Sequence, residues 1–296
     1  MKEIVIISGK GGTGKTVIAA SIAALAKNKV MGDCDVDASN LYLLLHPEIK
    51  ETHQFYAGVI PNMDVQKCTN CGRCQKVCRF NAIKTIDGQV TIDLVSCEGC
   101  GLCSRVCPVE AIKMEENHCG EWYISETKYG PLVHARLGIA EENSGKLVTL
   151  VRQNAQEIAE KNNSQLIIVD GPPGIGCPLI ATLTGANLAV IVTEPTLSGL
   201  HDLQRVVKVG QHFGIEMMVI INKFNINLEN TVKIENWCEK NNVSVVGKIH
   251  FDNVITEAMV KGLPVVEYSK NSITQEIKDI WEKIKPISQL TDSPIN

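Results

Sequence analysis

The stretch Gly9-Lys10-Gly11-Gly12-Thr13-Gly14-Lys15-Thr16 decides the fold of this 296-residue chain. It fits the pattern G-x-x-x-x-G-K-S/T and lies between an apolar, strand-like run at 4–7 and an Ala- and Ile-rich helical run from 16 to about 28. Glycines in such a loop let backbone N–H groups converge on phosphate oxygens, and the N-terminus of the helix adds its dipole. The stretch therefore predicts a phosphate-binding loop between a first strand and a first helix.

Further along the chain, short β-rich runs alternate with helical stretches. The runs lie at 29–32, 166–169, 189–192, 217–221 and 243–246, with helical stretches such as 198–213 and 228–241 between the later ones. Continuous apolar strands separated by helices are typical of a mainly parallel sheet that is covered on both faces. We therefore expect an α/β P-loop domain formed by two pieces of the chain, 1–60 and 117–296.

The insert between these pieces, 61–116, is rich in cysteine and internally repeated. Residues 68–84 align with 97–113 at a period of 29, and nine of the 17 aligned positions are identical. Each repeat contains the spacing C-x2-C-x2-C-x3-C, which matches the run found in bacterial two-cluster ferredoxins. The repeat therefore predicts two similar half-units that form one small α+β, bacterial-ferredoxin-like domain.

The same spacing predicts the ligands of two 4Fe–4S clusters. In this kind of run the fourth cysteine binds the cluster of the other repeat. We therefore assign one cluster to Cys68, Cys71, Cys74 and Cys107, and the other to Cys97, Cys100, Cys103 and Cys78. Zinc also uses C-x2-C pairs, but it takes four ligands and does not require this two-fold spacing.

Composition excludes several classes of protein. The chain has 29 Lys and Arg against 33 Asp and Glu, a net charge of −4, which argues against a nucleic-acid protein with a large basic face. No stretch approaches 18 consecutive apolar residues, so we expect no membrane span. Twelve cysteines, eight of them between 68 and 107, fit metal ligation in a reducing compartment better than disulfides. We expect a soluble cytoplasmic protein.

Four polar residues are candidates for nucleotide chemistry. Lys15 is expected to reach the β- and γ-phosphates, and the Thr16 hydroxyl to bind Mg²⁺. Asp35, in the acidic string 33–37, follows the second strand, and Asp170 ends the apolar run 166–169. Carboxylates at such strand ends position water and hold the Mg²⁺ shell. Asp33 and Asp37 are weaker candidates, interpreted as supporting or surface groups.

The loop, the cysteine insert and the segment 170–178 together resemble the MinD/Mrp superfamily of P-loop ATPases with an inserted ferredoxin domain. This family belongs to the SIMIBI class, whose nucleotide-binding domain is similar to those of CbiA and the nitrogenase iron protein. The resemblance implies that Lys10 reaches the nucleotide of a partner protomer and that Asp35 orients the attacking water. It also implies that Asn222 and the loop at Pro264 contact the adenine ring. Backbone contacts to phosphate are implied for Gly9, Gly11, Gly12, Thr13 and Gly14.

Three functions remain open at this level. The first is an ATP-driven dimer that couples hydrolysis to electron transfer to a redox partner, as a homodimer or with a homologous chain. The second is a Mrp-like, ATP-dependent scaffold that delivers iron–sulfur clusters to apo-proteins. The third is intracellular positioning of the MinD or ParA kind, disfavoured because no basic amphipathic tail is present. Cys177, seven residues after Asp170, could hold a bridging third cluster or act as a structural or redox-sensing thiol.

Overall fold

The structure is a computed structural model that describes residues 1–138, 141 and 143–289, with side chains as far as 285. Its strands are β1 (Lys2–Ser8), β2 (Lys29–Asp33), β3 (Glu48–Met63), β4 (Ile83–Ile86), β5 (Gln89–Ile92), β6 (Ile112–Thr127), β7 (Gly130–Leu137), β8 (Leu166–Pro173), β9 (Leu188–Thr193), β10 (Glu216–Asn222) and β11 (Ser244–Ile249). Its helices are α1 (Lys15–Leu25), α2 (Tyr42–Leu45), α3 (Arg73–Val77), α4 (Leu102–Arg105), α5 (Ser144–Lys161), α6 (Cys177–Leu183), α7 (Leu197–His212), α8 (Leu228–Lys240), α9 (Val254–Val260), α10 (Val265–Tyr268) and α11 (Ser272–Gln289).

The chain divides into two compact units. The first unit comprises Met1–His53, Trp122–Arg136 and Ser144–Asn296, and the second comprises Gln54–Glu121 with Leu137–Asn143. The second unit is longer at both ends than the insert expected at 61–116. The reason is that β3 and β6 continue past the change in composition, so that the division falls within strands and not at their ends.

The first unit is built on a parallel sheet in the order β11-β10-β9-β1-β8-β2-β7, beyond which β6 and β3 follow. Each neighbouring pair from β11 to β7 is parallel. The α/β fold with a mainly parallel sheet is therefore confirmed, and the expected strands at 166–169, 189–192, 217–221 and 243–246 are β8 to β11 with bounds shifted by a few residues.

Helices cover both faces of this sheet. On β1, Ile4 and Ile6 belong to one core cluster with residues of α1 and α11. Val5 and Ile7 point to the opposite face, because side chains alternate along a strand, and they too are completely buried. The closing helix α11 buries its apolar stripe in the same core, through Ile277, Ile280, Trp281 and Ile284. No helix in the described part of the chain is both long enough and apolar enough to cross a membrane.

The second unit has a small core of its own. Cys74, Ile83, Val90, Cys103 and Ile112 form this core. The antiparallel pair β4–β5 turns at Asp87 and Gly88, whose φ angles are +50° and +77°. Two positive φ angles in a two-residue turn match the twist of a hairpin, and Asp-Gly is a preferred sequence there. Helices α3 and α4, one from each cysteine repeat, pack against each other.

Candidate functional site

The loop between β1 and α1 leaves backbone donors free at the start of a helix. Gly14 has a left-handed backbone (φ 91°, ψ 13°), and α1 begins at Lys15 without a side chain that caps it. The first N–H groups of a helix have no partner within the helix, and they attract anions. A Cβ atom at Gly14 would lie 2.3 Å from the Asn222 amide nitrogen. Only glycine therefore fits both the backbone angle and the space.

Three acidic residues surround Lys15. Its Nζ lies 2.6 Å from Oδ1 of Asp170 and 3.5 Å from Oδ2 of Asp35. Burial by itself lowers the pKa of Lys15, but the charges of Asp170 and Asp35 more than offset it, so that the pKa is raised and the lysine stays charged. Burial raises the pKa of Asp35, although Lys15 opposes this rise. These side chains meet because β2 and β8 are neighbours, with Asp33 in register with Asp170.

Asp33 has a larger role than the sequence indicated. It is completely buried, accepts hydrogen bonds from the Ser39 hydroxyl (2.6 Å) and the Leu41 N–H (3.2 Å), and so holds the loop after β2. Burial, with the nearby charge of Asp170, raises its pKa to about 7. Of the two alternatives given for Asp33 and Asp37, Asp33 therefore corresponds to a supporting group, whereas Asp37 is exposed. The missed signal is the fully buried strand β2, since a residue that ends such a strand is itself enclosed.

Two buried polar atoms at this site lack a partner in the described part of the chain. They are Oδ2 of Asp170 and Oγ1 of Thr13. Buried polar groups normally form hydrogen bonds, and an unsatisfied one costs on the order of 1–3 kcal/mol. A carboxylate oxygen with a free lone pair fits a Mg²⁺ ion or its bound water, and a hydroxyl fits a phosphate oxygen.

A cavity of about 600 Å³ adjoins the loop. The expected site residues that line it are Gly11, Gly12, Thr13, Gly14, Lys15, Thr16, Asp35 and Asn222. Gly9, Lys10, Asp170 and Pro264 are not among its lining residues, and Pro264 instead precedes α10. Phe251, Asp252 and Ile255 also line the cavity, and no motif in the sequence pointed to them. Asn222 itself donates to the Thr13 carbonyl at 2.7 Å.

Lys10 is held by the first unit itself. Its Nζ lies 2.6 Å from Oε1 of Glu194 and donates to Ser198 at 3.0 Å and to Thr196 at 3.3 Å. Glu194 also lies 3.4 Å from Nζ of Lys223, which donates to the Gly12 carbonyl at 3.1 Å. Burial alone raises the pKa of Glu194, but Lys10 and Lys223 reverse this and hold it below its ordinary value. One carboxylate therefore joins two lysines beside the loop.

The second unit contains two small cavities, each bordered by four cysteines. Cys68, Cys71, Cys74 and Cys107 line the first cysteine cavity, and Cys78, Cys97, Cys100 and Cys103 line the second. All twelve cysteines of the chain are free thiols. In each cavity one cysteine is buried (Cys74, Cys103) and one is exposed (Cys71, Cys100). The lining sets coincide with the two sets that the repeat spacing predicts.

The four cysteines of each cavity form a candidate donor set for a metal group. No group of three or more His, Cys, Asp or Glu side chains among the described residues could hold one ion. A tetrahedral zinc with Zn–S bonds of about 2.3 Å would require sulfurs roughly 3.8 Å apart. A 4Fe–4S cluster takes one thiolate on each of its four iron atoms. Four cysteines around each cavity match that number of ligands.

The remaining cysteines lie in the first unit or in β6. Cys34, Cys119 and Cys238 are buried. Cys177 is exposed at the start of α6. The other cysteines of the described first unit, Cys34 and Cys238, are buried.

Comparisons with known proteins agree with this fold. The family described as the CobQ/CobB/MinD/ParA nucleotide binding domain (CbiA) matches residues 4–265. An uncharacterized protein of Methanocaldococcus jannaschii is 35% identical over 287 residues, covering 96% of each chain. The septum site-determining protein MinD of Synechocystis is 24% identical over 278 residues, which cover 91% of this chain and 84% of that protein. Among solved structures, MinD of Pyrococcus horikoshii, complexed with Mg-ADP, matches with a TM-score of 0.61 at 19% identity and covers 97% of both chains.

Proposed function

Since the chain belongs to the CobQ/CobB/MinD/ParA nucleotide-binding domain family, we propose that it binds and hydrolyses ATP and couples a nucleotide-driven dimer switch to electron transfer through two 4Fe–4S clusters. One observation carries the proposal: a chain with the phosphate loop of this family also has two cavities that are each lined by four free cysteines. A nucleotide switch and a pair of one-electron carriers would thus occur in one protein.

The nucleotide part of the proposal is supported by the groups around Lys15. The free N–H groups at the start of α1 and the Lys15 ammonium fit the phosphates of ATP, and Thr16 with Asp170 fits Mg²⁺. Lys15 now pairs with two carboxylates, and a phosphate would give it a competing anion. Asp35 lines the cavity and is the proposed group that orients water. Mg²⁺ would supply neutralisation of the phosphate charge.

The dimer part of the proposal depends on Lys10 and the surface beside it. Lys10 would have to leave Glu194 in order to reach the nucleotide of a partner protomer. Ser198 accepts a hydrogen bond from Lys10, and the residue before it, Leu197, is 71% exposed. Apolar side chains exposed at the edge of a functional site are typical of surfaces that become covered. We propose a homodimer or a dimer with a homologous chain.

The cluster part of the proposal is supported by the eight cysteines that line the two cavities. Each cavity otherwise has mostly apolar walls, such as Val90 and Ile112 in the first and Ile83 and Ile92 in the second. Thiolates bind iron, and the surrounding protein sets the potential through charge, hydrogen bonds and exposure. The clusters would supply one-electron transfer to a redox protein partner.

A second candidate is an ATP-dependent scaffold that transfers iron–sulfur clusters to apo-proteins. The exposure of Cys71 and Cys100, one in each cavity, favours it, because an acceptor thiol could approach a ligand there. This function predicts labile clusters, whereas electron transfer predicts clusters that stay bound.

The test is to purify the protein anaerobically, assay iron and sulfide, and measure cluster midpoint potentials by EPR. The potentials are measured without nucleotide, with MgADP, and with Mg²⁺ and a slowly hydrolysed analogue of ATP. We expect MgATP-analogue to shift the potential by at least about 59 mV, a tenfold change for a one-electron couple, and the variant Lys15→Ala to show no shift. Clusters whose potentials do not change with nucleotide, but which are transferred to an apo-acceptor protein, would favour the scaffold function. A protein that binds no iron would refute both functions.

A further inference from the structure

The two cysteine cavities are built from equivalent positions of the repeat. Adding 29 to the residue numbers of the first repeat brings Cys68, Cys71, Gly72 and Cys74 onto Cys97, Cys100, Gly101 and Cys103, and each group lines its own cavity. Gly72 and Gly101 have left-handed backbones with φ angles of 68° and 72°. Helices α3 and α4 begin directly after these glycines. The residue that follows each glycine therefore occupies the equivalent position beside the cavity of its own repeat.

That next side chain differs between the repeats. It is Arg73 in the first cavity and Leu102 in the second, and each lines its cavity. Arg73 is the one charged residue among the described residues that line either cavity. The rest of the lining is cysteine, glycine, proline, threonine and apolar residues, so the cavities differ in charge at a single position.

We propose that Arg73 makes the two cavities unequal in reduction potential, so that the electron resides on the cluster held by Cys68, Cys71, Cys74 and Cys107. This inference rests on the proposed cluster-binding function. Reduction adds a negative charge to a cluster, and a guanidinium close by stabilises that charge. Leu102 at the equivalent position of the second cavity offers no such stabilisation.

One nearby charge opposes this assignment. Arg79 follows Cys78, a residue of the second cavity, and its guanidinium lies 5.6 Å from the centre of the Phe80 ring. Phe80, and not Arg79, lines the second cavity, whereas Arg73 itself lines the first. We therefore expect the effect of Arg79 to be the smaller.

Arg73 is exposed, which makes its effect dependent on salt. Surface charges are screened over about 8 Å at 0.15 M ionic strength and over about 30 Å at 0.01 M. The difference between the two potentials should therefore be largest at low salt and decrease as salt is added. Substitutions at exposed positions such as 73 and 102 leave the core of the second unit intact.

The experiment exchanges the two side chains. EPR-monitored midpoint potentials are measured at low salt, with dithionite as the reductant, for the wild-type protein and for Arg73→Leu, Leu102→Arg, the double exchange, Arg73→Lys and Arg79→Leu. In the wild type we expect two reduction steps separated by about 59 mV, a tenfold difference in equilibrium constant. Arg73→Leu and Leu102→Arg should each bring the two steps together, while Arg73→Lys and the double exchange keep them apart.

Three results would overturn the inference. A separation that Arg73→Leu leaves unchanged, or a single step in the wild type, would show that the cavities are equal or that Arg73 does not set their difference. A larger change in the separation with Arg79→Leu than with Arg73→Leu would show that Arg79, and not Arg73, sets the difference in potential. Iron analysis separates this failure from that of the proposed function: about eight irons per chain with equal potentials overturns the inference alone. A chain without iron overturns both.

Discussion

The substitution Gly14→Ala tests whether the phosphate loop depends on the geometry described above. At φ 91° an alanine has a left-handed backbone, which costs roughly 1–2 kcal/mol. Its Cβ would also lie 2.3 Å from the Asn222 amide nitrogen, so that Asn222 must give up its 2.7 Å hydrogen bond to the Thr13 carbonyl. The loss of a buried hydrogen bond adds roughly 1–3 kcal/mol. Alanine also restricts the unfolded chain more than glycine does, which offsets about 0.4–1 kcal/mol of this destabilisation. We expect a net destabilisation of about 3 kcal/mol.

Gly11→Ala is the matched control in the same loop. A Cβ at Gly11 would have no atom within 4 Å, and Gly11 is not among the glycines with positive φ. The free energy of unfolding should therefore change by less than about 0.5 kcal/mol. Both variants are compared with the wild type by urea unfolding without nucleotide, followed by far-UV circular dichroism. Equal effects of the two substitutions would refute the argument that backbone angle and space at Gly14 decide the loop.

Other substitutions test the remaining parts of the molecule. Burial lowers the pKa of His134 from 6.5 to about 4. The unfolded chain therefore takes up a proton that the folded chain resists, and stability that is fully present above pH 6.5 falls by up to ~3 kcal/mol as the pH approaches 4. His134→Phe should flatten this dependence in urea unfolding at several pH values; an unchanged slope would contradict it. Lys10→Ala should abolish ATP-dependent dimerisation in light scattering, while Glu194→Gln, which weakens the 2.6 Å pair with Lys10, should promote it. A dimer that survives Lys10→Ala removes the proposed role of that lysine. Cys74→Ser should lower the iron content by about half, whereas Cys238→Ser, at a buried thiol of the first unit, should leave it unchanged. Equal iron in the two variants would count against the cluster assignment.

Local sequence was sufficient for the parallel sheet and the phosphate loop, because both depend on short-range patterns. Continuous apolar runs such as 166–169 predict strands buried on both faces wherever they occur in the chain. The glycines and the Lys15-Thr16 pair predict a loop whose backbone donors are set by neighbouring residues alone. The cysteine sets were also predicted by spacing, since the repeat period relates each residue to its counterpart.

The sequence by itself determined which residue types are present at each strand end, and the tertiary structure decided which of them meet. Asp33, Asp35 and Asp170 lie near one lysine because β2 and β8 are neighbours in the sheet, and a linear pattern contains no information on strand order. The same holds for Glu194, which pairs with Lys10 across 184 positions of the chain, and for Phe251 and Asp252 on the cavity wall. Pairings of this kind depend on long-range packing, in which burial turns an ordinary aspartate such as Asp33 into a group with a pKa of about 7.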